Sequence, residues 1–135
     1  EYPAEVSSAH IIKLYLIEDG NIVSDNFYIR GVEEGNYRVI NDMPSVKLQQ
    51  NITTSVEDGV WRGSITLTNE SDTPALMIRI NVVGAKDGEQ ILPIFYSDNY
   101  FSLLPNEKKQ IDFHWKDIDS RGNKPKVIVS GFNVE

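Results

Sequence analysis

Ile91-Leu92-Pro93-Ile94-Phe95-Tyr96-Ser97-Asp98-Asn99-Tyr100-Phe101-Ser102-Leu103-Leu104-Pro105 decides how the chain is read. It holds two apolar segments, Ile91–Tyr96 and Tyr100–Leu104, joined by the polar corner Ser97-Asp98-Asn99. Asp and Asn suit a corner because their short side chains bond nearby backbone and tolerate left-handed conformations. Leu104-Pro105-Asn106-Glu107 is a second turn, with proline fixing φ. The alternating segment Lys108–Trp115 follows at once, with Lys109, Ile111, Phe113 and Trp115 opposite Gln110, Asp112 and His114. The stretch therefore carries the chain from one part of a β fold to another through an aromatic corner.

Outward from that corner the same pattern repeats. Val60–Asn69 sets Trp61, Gly63, Ile65 and Leu67 against Arg62, Ser64, Thr66 and Thr68, and Ala75–Val83 puts Leu76, Ile78, Ile80 and Val82 on one face. Both alternate with the period of two that marks a strand. Lys47–Val56 is a strand anchored by Leu48 and Ile52, and Lys126–Val134 closes the chain with Val127, Val129 and Phe132 turned inward. Upstream, His10–Ile17 is apolar on both faces, which suits a strand whose second face is also covered. Asp19-Gly20-Asn21 and Glu57-Asp58-Gly59 are hairpin signals. Ile22–Arg30 is a second strand with Phe27 and Ile29 inward. Gly31–Ser45 is mostly loop, with a brief pairing over Tyr37–Ile40.

No segment makes an amphipathic helix of about 10 residues or more. The expectation is all-β: an immunoglobulin-like β-sandwich of about seven to nine antiparallel strands, with Ile78, Ile80 and Phe113 in one core between two sheets. With no cysteine there is no disulfide, thiolate metal site or cysteine nucleophile. Residues 1–9 read as a linker from a preceding domain and residues 10–135 as the sandwich. The opening Glu1-Tyr2-Pro3 reads as a piece of a longer, processed polypeptide.

Composition and motifs exclude several functions. A net charge of −7 argues against nucleic acid as a partner, since such domains offer phosphate a basic patch. No apolar run approaches the roughly 20 residues of a membrane span. His10 and His114 stand far apart and outside metal-ligand spacing, so neither a metal nor another cofactor is expected. There is no GxSxG elbow and no phosphate-binding glycine loop. The 20 acidic residues fall mostly in turns and on polar strand faces, and none is marked out for the raised pKa that acid catalysis needs. Asn51-Ile52-Thr53 and Asn69-Glu70-Ser71 match the glycosylation pattern, which arises often by chance. Trp61 and Trp115 lie on core faces. Tyr15, Tyr96 and Tyr100 suit an interface, because a tyrosine can bury its ring and still reach a polar partner.

The run Ser97-Asp98-Asn99-Tyr100-Phe101-Ser102-Leu103-Leu104-Pro105 resembles a signature of one family: the C-terminal immunoglobulin-like domain of family 2 glycoside hydrolases of the exo-β-D-glucosaminidase and β-mannosidase type. Val23-Ser24-Asp25-Asn26-Phe27-Tyr28, Thr66-Leu67-Thr68-Asn69-Glu70-Ser71, Ala75-Leu76-Met77-Ile78-Arg79 and Val129-Ser130-Gly131-Phe132-Asn133-Val134 resemble further segments, in order. Asn106 departs from the family's glycine, yet still permits a left-handed turn. Phe132 departs from its tryptophan and lacks the indole N–H.

The resemblance implies that the catalytic glutamates lie in a TIM barrel elsewhere, a fold of about 250 residues. Asn69-Glu70 and Asn106-Glu107 echo the family's acid/base dipeptide, but both sit at turns of a sandwich. The chain is then a non-catalytic accessory module, its partners the other domains of a parent glycosidase and, as a further option, carbohydrate. The family's usual setting is periplasmic or secreted. Tyr96, Asp98, Asn99 and Tyr100 form the candidate corner for domain interface or sugar contact. The alternative function is an independent carbohydrate-binding or cell-surface adhesion module. A flat apolar patch suits docking, while a groove lined by rings and polar side chains suits sugar.

Overall fold

A computed structural model describes residues 8–33 and 36–135. The chain divides into two compact units, one reaching to Met43 and the other running from Pro44 to Glu135. Most of the assignment of residues 1–9 to a linker lies outside the described residues, and Ala9 already belongs to the first strand.

The first unit is a long hairpin of β1 (Ala9–Glu18) and β2 (Asn21–Gly31). Asp19 and Gly20 both take positive φ, at 48° and 79°. That is the two-residue turn whose twist matches antiparallel strands. The hairpin forms a two-stranded sheet of its own. Its base carries half-buried Ile11, Ile12, Phe27 and Ile29. Leu14, Leu16, Ile17, Ile22 and Val23, towards the turn, are all more than half exposed. The expected cover on both faces of β1 is therefore not found over this outer half. Tyr37–Ile40 does not pair as a strand: a 3-10 turn spans Arg38–Asp42.

The second unit is the sandwich. Its strands are β3 (Gln49–Glu57), β4 (Val60–Thr68), β5 (Ala75–Gly84), β6 (Phe95–Tyr96), β7 (Phe101–Leu103), β8 (Lys108–Lys116) and β9 (Pro125–Ser130). One sheet has the order β3-β4-β8-β6, the other β7-β5-β9. Positive φ at Asp58 and Gly59 closes the β3–β4 hairpin, and Asn106 takes the left-handed turn at φ 64°.

The core follows the period-two faces. Ile65, Leu67, Ile78, Ile80, Val82, Ile111, Phe113 and Trp115 are buried in one cluster. Trp61 and Trp115 stack with ring centroids 5.6 Å apart. The Trp115 indole N–H donates to Ser120 Oγ at 2.8 Å, which satisfies a donor taken wholly out of water. Gly63 leaves space for Phe113, since a Cβ there would come within 2.3 Å of a ring carbon.

Two inward assignments fail at the margins. Ile52 is 40% exposed. It pairs with buried Ile65, but β3 is an edge strand, and the opposing sheet is one strand narrower. Phe132 is half exposed, because β9 ends at Ser130 and the alternation ends with it. Asn133 is buried instead. Its amide donates to the carbonyls of Pro44 and Pro74, at 3.1 and 2.9 Å, and its oxygen accepts from Leu76 N–H.

Candidate functional site

The corner between β6 and β7 joins the two sheets, and its four candidate residues divide into different tasks. Phe95 and Tyr96 pair with His114 and Phe113 of β8. Ser97 extends that edge: its N–H donates to the Asp112 carbonyl at 2.8 Å, and its hydroxyl accepts from Asp112 N–H at 3.0 Å. The chain then leaves the four-stranded sheet. Asp98 accepts a hydrogen bond from its neighbour Asn99 N–H at 2.7 Å and forms an ion pair with Lys109 Nζ.

Asn99 makes the crossing. Its side-chain oxygen accepts from Ile80 N–H at 2.8 Å, and its side-chain NH₂ donates to Ile80 C=O at 2.9 Å. β7 pairs with β5 only at Ala75↔Leu103 and Ile78↔Phe101. The Asn99 amide thus extends the ladder past the end of β7, meeting a donor and an acceptor that a strand would otherwise satisfy.

Tyr96 is a core residue as much as a surface one. It is half buried, tilted against Phe113 at 5.9 Å. Burial pushes its phenol pKa up, partly offset by a backbone hydrogen bond at Val82 and by the Arg79 charge. Tyr100 is different: it sits at φ 60°, is 65% exposed, and has the Arg79 guanidinium 6.0 Å above its ring. Of the four residues, Tyr100 alone presents an apolar ring to solvent. Met77 occupies the β5 bulge at φ 53°, also exposed, and its N–H donates to Ser102 Oγ at 3.1 Å.

Three asparagines carry more than the sequence pattern suggested. Asn69 is fully buried, its amide shared between the carbonyls of Thr73 and Leu103 and its oxygen held by Ser71. That excludes it as a glycan acceptor in the folded chain. With Asn99 and Asn133 it ties a turn to a strand. The signal for this in sequence is only that each follows or precedes a strand at a turn.

A family model of the exo-β-D-glucosaminidase Ig-fold domain matches residues 26–134. The chain belongs to that family. An exo-β-D-glucosaminidase of Hypocrea jecorina is 28% identical over 156 aligned residues, covering 97% of this chain and 17% of its own length. One from Streptomyces avermitilis is 35% identical over 84 residues, covering 61% of this chain and 9% of its own length. The crystal structure of the Amycolatopsis orientalis exo-chitosanase CsxA superposes with a TM-score of 0.87 at 24% identity, over 97% of this chain and 18% of that one. This exo-β-D-glucosaminidase Ig-fold domain therefore spans less than a fifth of its relatives' length. Its relatives bear out the glucosaminidase side of the resemblance, the β-mannosidases being only related members of the same hydrolase class.

Proposed function

We propose that the chain is a non-catalytic structural module of an exo-β-D-glucosaminidase-like glycoside hydrolase, docked on that enzyme's other domains. One observation carries the docking: the outer half of the β1–β2 hairpin exposes Leu14, Leu16, Ile17, Ile22 and Val23, each by more than half. A two-stranded hairpin is marginal alone in water, and apolar residues crowded along one arm mark a surface made to be covered. The exported setting of the family goes with the same reading.

The test uses the full-length enzyme. Leu16→Asp with Ile17→Ser, both on exposed positions, should leave the 135-residue chain folded while the enzyme loses thermal stability and releases the module earlier under limited proteolysis. Unchanged stability and proteolysis of the enzyme would overturn docking through this arm. The 135-residue chain itself should not turn over aryl β-glucosaminides.

A further inference from the structure

The outer face of the four-stranded sheet carries two complete rows of side chains. Ser55, Arg62, His114 and Phe95 lie opposite one another across β3, β4, β8 and β6. One step along, Thr53, Ser64 and Asp112 form a second row, which Ser97 completes through its two bonds to Asp112. Together the rows floor an open groove of about 580 Å³, within the usual size of small-molecule sites. Three inter-strand gaps of about 4.8 Å make the floor about 14 Å across, room for more than one pyranose ring.

From this geometry we infer that the groove binds a short β-linked oligosaccharide of hexose or hexosamine units. The Phe95 and His114 rings are stacked 5.2 Å apart and 18° from parallel at one end, and Phe95 is 59% exposed. With His114 against one face, the other face of the Phe95 ring stays open to the C–H face of a sugar. The hydroxyls of Ser55, Ser64 and Thr53 and the opposite charges of Arg62 and Asp112 stand beside it. Those are the donors and acceptors that a ring's hydroxyl rim needs. Arg62 has no ion-pair partner among the described residues, so its guanidinium is available to a ligand. The two formal charges cancel, which suits a neutral or aminated saccharide better than a polyanion. The groove holds one carboxylate, Asp112. Glycoside hydrolysis takes two, flanking the scissile bond, so this groove retains a chain without cutting it. The site lies wholly within the unit from Pro44 to Glu135.

The experiment titrates the isotopically labelled 135-residue chain with the β-1,4-linked trimer of glucosamine, its N-acetylated counterpart and cellotriose, following amide shifts by NMR. Saturable shifts centred on Arg62, Ser64, Asp112 and His114 with any one trimer support the site. Phe95→Ala should then weaken binding about fivefold to tenfold, the worth of a ring contact, and Arg62→Ala should weaken it comparably. The absence of saturation with all three trimers at roughly 10 mM, weaker than any useful site, overturns the proposal. So do shifts centred elsewhere, or binding that both variants leave unchanged.

Discussion

Asn99→Ala isolates the bond pattern on which the corner depends. The substitution removes one acceptor and one donor from Ile80. That residue is 1% exposed, with its side chain in the core. Its N–H and C=O would then face the space left by the amide. A buried backbone group left unpaired costs about 1–3 kcal/mol, so two cost about 2–6 kcal/mol. Asn99 itself is only half buried, and water entering from the corner can meet one of the two groups. The lower part of the range, about 2–3 kcal/mol, is the expected loss. For a unit of fewer than 100 residues that lowers the melting midpoint by roughly 8–24 °C.

Urea unfolding read by tryptophan fluorescence suits the measurement, because Trp61 and Trp115 both lie in the affected unit. The midpoint should fall with the slope unchanged, which marks a loss of stability rather than a change in the denatured state. Asn99→Asp supplies the control. It keeps the acceptor for Ile80 N–H but turns a second oxygen towards Ile80 C=O, so it should cost at least as much as alanine. A loss below about 0.5 kcal/mol for both variants, the size of an ordinary surface change, would refute the view that the amide stands in for a missing strand residue.

Gly63→Ala should cost about 1–3 kcal/mol by overpacking, since its Cβ would meet a Phe113 ring already flanked by Tyr96 and Trp115; an unchanged urea midpoint would mean the ring yields freely. Tyr100→Gly should leave the chain as stable or up to about 1 kcal/mol more so, because it relieves a positive φ. The same variant in the full-length enzyme should release the module earlier under limited proteolysis. Unfolding of the 135-residue chain by Tyr100→Gly would place the ring in the core and end the proposal that it serves an interface.

The sandwich was legible wherever burial and alternation coincide. Burial alternates over residues 65–67 of β4, 78–82 of β5 and 111–115 of β8, so these inward faces follow from the sequence with Ile65, Ile80 and Phe113 in place. Reading failed where the pattern no longer measured cover. Ile52 has an inward register but sits on an edge, and Phe132 follows the last ladder residue of β9. In β1 an apolar residue at nearly every position reads as two covered faces, yet the structure leaves its outer half exposed. At the corner, the bonding role of Asp98 and Asn99 follows from their residue types. That Asn99 reaches Ile80, 19 residues away, does not, because it depends on where β7 stops. The groove was invisible for a similar reason: Arg62, His114 and Phe95 belong to three separate strands, and only the register places them in one row.

The backbone around β5 adds a physical reason to regard Tyr100 and Met77 as surface built for contact. Both are large non-glycine residues at positive φ, 60° and 53°, and both are exposed. A left-handed conformation costs such a residue about 1–2 kcal/mol relative to glycine-like freedom. Local structure explains how each is held: Tyr100 N–H donates to Asn99 Oδ1 at 3.1 Å, and Met77 N–H to Ser102 Oγ. The Arg79 guanidinium over the Tyr100 ring accounts for part of that side chain's presence, but nothing in the sandwich accounts for the Met77 thioether, which a glycine would replace at lower cost. Burial in the sandwich cannot be the compensation, since neither side chain enters it. Strain observed at exposed apolar positions is the ground for proposing a contact outside the fold. In a domain spanning less than a fifth of its relatives' length, the proposed docking partner is the remainder of the enzyme.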